Sequence, residues 1–165
     1  MYNEEIAIIS QAILNEVEGS EFYKLASARA VSEGTKEALV ELSNEEMQHA
    51  DYLKKLWKYI TGGGEFSLDS VLESGILIPS PEIYKWGKVG KESLETAMSV
   101  YSIGMQMEKD SIKFYENAKL KSLSLPVAKF FDLLIKWEYV HLEQFENQYK
   151  MLTEEWWAEQ GYAPF

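Results

Sequence analysis

Two stretches in the first half of the chain recur in the second half at a constant shift of 92 positions. The segment NEVEGSEFYKLA (15–26) lies over MEKDSIKFYENA (107–118), matching Glu16 with Glu108, Phe22 with Phe114, Tyr23 with Tyr115 and Ala26 with Ala118. The segment LSNEEMQHADYL (42–53) lies over LIKWEYVHLEQF (134–145), matching Leu42 with Leu134, Glu46 with Glu138 and His49 with His141. An ungapped internal repeat narrows the choice of fold. The chain must consist of two like units, each burying its apolar face against the other.

Each unit reads as a pair of helices. Prolines stand only at 79, 81, 126 and 164, and they leave four long proline-free segments, about 3–32, 36–61, 92–119 and 125–150. All four are rich in Ala, Leu, Glu, Lys and Met, which lose little freedom in a helix. Gly34 is a fitting stop for the first, with Thr35 capping the second, and the glycines from Gly62 end the second. Ser124 and Pro126 suit the start of the fourth.

Spacings of three and four run through each segment. Ile9, Ile13, Glu16, Ser20 and Tyr23 form one seam; Leu39, Leu42, Glu46, His49, Leu53, Leu56 and Ile60 form the next. Tyr101, Met105, Glu108, Ile112 and Tyr115 form the third, and Phe131, Leu134, Glu138, His141, Phe145, Gln148 and Leu152 the fourth. These are the inward faces of bundle helices. Two connections are short and make antiparallel neighbours. The middle one, about 62–91, could reach roughly 100 Å when extended and can travel the length of a helix. The expected fold is therefore all-α: one domain over 1–165, a four-helix bundle of two hairpins joined by one long crossover. A short helix near Ser67–Glu73 is expected within the crossover, and a short C-terminal extension over 153–165.

Both histidines follow a glutamate by three residues, as Glu46-Met-Gln-His49 and Glu138-Tyr-Val-His141, and i and i+3 share a helix face. In each half a further glutamate, Glu16 or Glu108, lies 30 residues earlier on the preceding helix. All six fall on inward seams. Four carboxylates are very costly to bury unpaired. Two divalent cations would balance them, with the imidazoles neutral. Mixed carboxylate and imidazole donors suit iron, manganese or zinc. Glu18, Glu21, Glu45 and Asp110 lie off the seams and read as solvated charges. Tyr23 and Tyr115 stand two turns beyond Glu16 and Glu108. They either fill space or hydrogen-bond a ligand carboxylate from behind. Met98, Met105, Met107, Trp57 and Trp137 read as packing, and Trp156 and Trp157 as a cap on the bundle or an oligomer contact.

Composition removes other classes. The chain has no cysteine, so it offers no disulfide, thiolate zinc site or iron–sulfur cluster. A net charge of −11 with a single arginine, Arg29, disfavours nucleic acid. No apolar run approaches a membrane span. The opening MYNEE is acidic, unlike a secretory signal. A soluble cytoplasmic protein is expected.

Taken together, Glu16 with EGSEFY downstream, EEMQH (45–49), MEKDSIKFY (107–115) and WEYVH (137–141) resemble the ferritin-like di-iron carboxylate superfamily, and most of all its rubrerythrin-type branch. The resemblance covers about 3–150. It implies that Glu46 and Glu138 bridge two irons, that Glu16 with His49 completes one and that Glu108 with His141 completes the other. It implies a non-haem di-iron oxidoreductase of oxidative-stress chemistry, reducing peroxide or O2, with Tyr23 and Tyr115 tuning the site; a ferroxidase and iron-storage role is the alternative. Two departures stand out. Rubrerythrins usually carry a rubredoxin domain, and a chain without cysteine must draw on an external electron donor such as a rubredoxin-like protein. Rubrerythrins also tend to carry an extra glutamate where this chain has Ser111, whose repeat mate is Gly19. A homo-oligomer, with a dimer favoured, is expected.

Overall fold

The computed structural model describes residues 2–30, 32–73 and 78–161. Residues 74–77 of the crossover and the last four of the expected C-terminal extension lie outside them. The elements in chain order are α1 (Tyr2–Ala28), α2 (Glu33–Ile60), α3 (Leu68–Glu73), α4 (Leu94–Lys121) and α5 (Leu125–Glu159), with 3-10 turns at Pro81–Ile83 and Lys91–Ser93. Among the described residues there is no strand, and no helix long and apolar enough to cross a membrane. The all-α bundle of two hairpins is what forms: α1 packs along α2, α4 along α5, and the hairpins meet through α1 with α4 and α2 with α5.

Three boundaries differ from the sequence reading, each for a physical reason. The cap of α2 is Ser32, not Thr35; its hydroxyl accepts the Thr35 backbone N–H at 3.1 Å, satisfying one of the free donors of the first turn. Gly34 does not stop α1, which ends at Ala28. It sits in the first turn of α2 because the returning crossover presses there: a Cβ on Gly34 would stand 2.5 Å from the Lys85 carbonyl oxygen. The fourth bundle helix does not end near 150. It runs unbroken to Glu159 and stops just before Gly161, whose φ is +77°. At ~1.5 Å per residue, α5 is about 50 Å long. Trp156 uses that extra length: it packs beside the buried cluster at this end and donates from Nε1 to Glu95 at 3.3 Å, so it caps the bundle. Trp57 is 38% exposed and contributes less to the core than its size suggested.

The core has two apolar bodies. One gathers Ile9, Leu53, Leu56, Ile112, Phe130 and Phe131 where α1 begins. The other gathers Leu39, Leu42, Tyr84, Leu94, Tyr101 and Phe145 where α1 ends. The crossover spans from one to the other. Phe66 and Leu68 pack on the first, and Tyr84 and Val89 on the second. Trp86 ties it to α5 through a 3.0 Å bond from Nε1 to Gln144. Between the two apolar bodies lies a polar centre.

Candidate metal centre

All six residues read from the seams meet at that centre. Glu16, Glu46, His49, Glu108, Glu138 and His141 are each at most 4% exposed. Their donor atoms fall into two groups, each with its atoms within 4.8 Å of one another: Glu16, Glu46, His49 and Glu138, and Glu46, Glu108, Glu138 and His141. Glu46 and Glu138 belong to both. The helix period places each pair one turn apart on α2 and α5, while α1 and α4 bring Glu16 and Glu108 from the opposite wall.

Both imidazoles present Nδ1 to the centre. His49 Nδ1 lies 3.1 Å from Glu138, 3.2 Å from Glu16 and 3.4 Å from Glu46. His141 Nδ1 lies 3.1 Å from Glu46, 3.3 Å from Glu138 and 3.6 Å from Glu108. The two rings are nearly parallel, 5.9 Å apart. The Glu138 carboxylate, fully buried between them, makes no hydrogen bond through either oxygen despite these approaches. A buried carboxylate with both oxygens unbonded is rare in folded proteins. Here it is aimed between two imidazole nitrogens, which is the arrangement a pair of cations would satisfy.

The charges tell the same story. Burial, then the neighbouring carboxylates, raise Glu16 and Glu108 well above the usual range. Burial also pushes Glu46 and Glu138 upward, but their close neighbours outweigh it: Glu16 and both imidazoles hold Glu46 well down, and the approach of Glu108 and the imidazoles holds Glu138 at about 2. Burial lowers both histidines, and the surrounding carboxylates more than reverse it. Without cations, these shifts favour protons on Glu16, Glu108, His49 and His141. Ligands must shed such protons to bind a metal, so uptake here would exchange protons for cations.

Tyr23 and Tyr115 cross between the halves. The Tyr23 hydroxyl donates to Glu108, and Tyr115 donates to Glu16. Burial, then these carboxylates, raise both phenols, so each remains a donor.

One residue overturns its sequence reading. Glu45 is not a solvated charge: it is 4% exposed, and its Oε2 lies 2.8 Å from His141 Nε2. The same oxygen accepts from the Tyr84 hydroxyl of the crossover. The repeat held the clue. The mate of Glu45 is Trp137, a poor residue for a solvent-facing position. Trp137 is buried and sets its ring edge-on to His49, 4.6 Å between centroids.

A cavity of about 300 Å³ between α1 and α4 reaches Glu46 and Glu108 from outside. Gly19 and Ser111 line it, with Glu18 and Asp110 beside them, so it lies on the axis relating the halves. The small side chains at 19 and 111 leave it open: a Cβ on Gly19 would touch Glu46 at 3.7 Å.

The family model described as Rubrerythrin matches residues 7–149. A solved structure from Pyrococcus furiosus, described as Hypothetical Protein Pfu-1136390-001, superposes with a TM-score of 0.70 at 20% identity, covering 91% of this chain and 90% of that one. It is alike in fold. No curated protein matches the chain.

Proposed function

This chain belongs to the rubrerythrin family, and on that premise we propose that it is a non-haem di-iron oxidoreductase that reduces peroxide or O2 with electrons from an external donor. The observation carrying the reading is the buried Glu138 carboxylate, unbonded and flanked by two imidazole Nδ1 atoms. Glu46 and Glu138 would hold both ions, Glu16 and His49 one, and Glu108 and His141 the other. Manganese or zinc suits the same donors. A bound pair of ferrous ions would supply the two electrons that, with two protons, convert one peroxide into two waters.

The chain's own residues set the conditions. Tyr23 and Tyr115 hold the outer carboxylates in place from the opposite half. The apolar bodies on either side keep bulk water from the bundle axis. The cavity between α1 and α4 gives a small oxidant a path to Glu46 and Glu108. With no cysteine, the chain has no thiolate iron site of its own to relay electrons; a rubredoxin-like partner fits that need.

One observation favours the ferroxidase and iron-storage alternative. Glu18 and Asp110 flank the cavity, and paired acids there favour the approach of a cation. The test is an anaerobic ferrous titration of stripped protein, followed by peroxide. The oxidoreductase reading expects uptake that breaks at two irons per chain with a raised melting temperature. It then expects peroxide to oxidise the loaded site faster than free ferrous iron, and an added reductant to restore it. Iron accumulating beyond two per chain in a large hollow assembly, rather than a dimer, supports storage. Peroxide oxidation no faster than for free iron sinks the oxidoreductase reading.

A further inference from the structure

The six candidate ligands obey the repeat, and the groups behind the two imidazoles do not. His141 has a partner on each side: Nδ1 faces Glu46, Glu108 and Glu138, and Nε2 faces Glu45 at 2.8 Å. Glu45 is held in turn by the Tyr84 hydroxyl, which donates to the same oxygen. Tyr84 is 5% exposed, and its ring stands edge-on to His141 at 6.2 Å. The crossover thereby clamps one imidazole. His49 is as deeply buried, yet its Nε2 has no hydrogen-bond partner, and Trp137 occupies the position equivalent to Glu45. The Trp137 indole N–H is unpartnered as well.

We propose that Glu45, braced by Tyr84, is a positioning residue for His141 and makes the two metal positions unequal, with the ion at Glu108 and His141 held more tightly than the ion at Glu16 and His49. The inference rests on the metal reading above. A carboxylate accepting from Nε2–H fixes the proton there and leaves the Nδ1 lone pair free to bind. It also fixes the ring plane and makes the imidazole a stronger donor. Behind His49 there is only the Trp137 ring, and no acceptor fixes a proton on its Nε2. Loss of such a supporting hydrogen bond typically weakens metal affinity about 10- to 100-fold.

The test is anaerobic titration of stripped protein with ferrous or cobaltous ion, read by calorimetry. The wild-type chain should show two steps separated by about 10- to 100-fold. Glu45→Leu should weaken the tighter step by that factor and leave the other in place, drawing the two together. Glu45→Gln keeps an acceptor for Nε2–H and should restore most of the difference. Tyr84→Phe frees one side of Glu45, keeps the ring packing, and should weaken the same step by a smaller factor; it serves as the probe where Glu45→Leu fails to fold. Assignment comes from single-position chains. In His49→Ala, Glu45→Leu should retain its full effect; in His141→Ala it should have none. A second readout involves no turnover: in the zinc-loaded protein, one slowly exchanging imidazole Nε2–H resonance should vanish in Glu45→Leu. Equal weakening of both steps, or an effect that survives in His141→Ala, overturns the inference. Two ions bound normally by wild type and Glu45→Leu alike overturn it alone, whereas no uptake by wild type overturns the metal reading with it.

Discussion

The two hairpins each carry the same three candidate ligands, two glutamates and a histidine, and pack them differently. On the seam of the first, Ser20 and Ser43 exchange hydrogen bonds: each hydroxyl donates to the other's backbone carbonyl, at 2.9 and 2.8 Å. The equivalent positions in the second are Ile112 and Ile135, both in one apolar cluster. Ala12 and Leu53 of the first correspond to Gly104 and Phe145 of the second, so the smaller residue accompanies the larger. Every candidate ligand is matched across the repeat, whereas among the packing positions some match, as Leu42 and Leu134 do, and others diverge, as these do. The repeat therefore separates residues that serve the centre from residues that serve one hairpin.

The largest contrast should come from truncating the same seam position in each half. Ile112→Ala removes buried methyl groups and leaves a cavity, at a cost of about 2–5 kcal/mol. Ser20→Ala removes one hydrogen bond and little volume, at a cost of about 1 kcal/mol. Urea denaturation of the metal-free protein measures both. Equal costs would mean that the halves are packed alike and that the contrast is only one of residue names.

Gly104 sharpens the comparison at intermediate size. A Cβ there would meet the Phe145 ring at 2.9–3.0 Å. That ring cannot readily move, being packed against Tyr23, Trp86 and Tyr101. Overpacking of this kind costs about 1–3 kcal/mol. Alanine returns about 1 kcal/mol of helix propensity relative to glycine. Gly104→Ala should thus destabilise by about 1 kcal/mol, and far less in a Phe145→Leu background, which copies the first hairpin. A Gly104→Ala chain as stable as wild type, with no coupling to position 145, would show that the volumes are not exchanged.

What was legible in the sequence follows from this division. The seams recur every three or four residues, so helix faces, hairpins and the meeting of six side chains could be read locally. Glu45 could not, because its partners are far away: His141 lies on another helix, and Tyr84 is in a crossover with no periodic pattern to place it. Gly34 is misleading for the same reason. A glycine after a helical run ordinarily marks an end, and nothing local reveals that Lys85 of the crossover will lie against it. The run of α5 to Glu159 was readable in principle, since no glycine or proline interrupts 127–160. Its acidic, Trp-containing end reads as a tail only because the apolar seam fades after Leu152.

The smallest effect concerns the surface. Lys119 and Lys136 approach Asp132 at 2.6 and 3.0 Å, and the equivalent first-hairpin positions, Ser27, Asn44 and Val40, cannot form such a pair. Hydrogen bonds from the two lysines, the Lys119 bond foremost, lower the Asp132 carboxyl below its usual range. A carboxyl lowered on folding stabilises the native state above its unfolded value, and that contribution is lost as pH falls through the folded one. The Asp132 side chain is 36% exposed, so solvent screening limits the effect to less than about 1 kcal/mol. Asp132→Asn should lower stability by that amount at neutral pH and low salt. The difference should shrink in high salt and disappear in acid below the ordinary aspartate range. A difference that persists in acid would assign Asp132 a packing role instead of a charged one, and this surface contrast between the hairpins would then not be electrostatic.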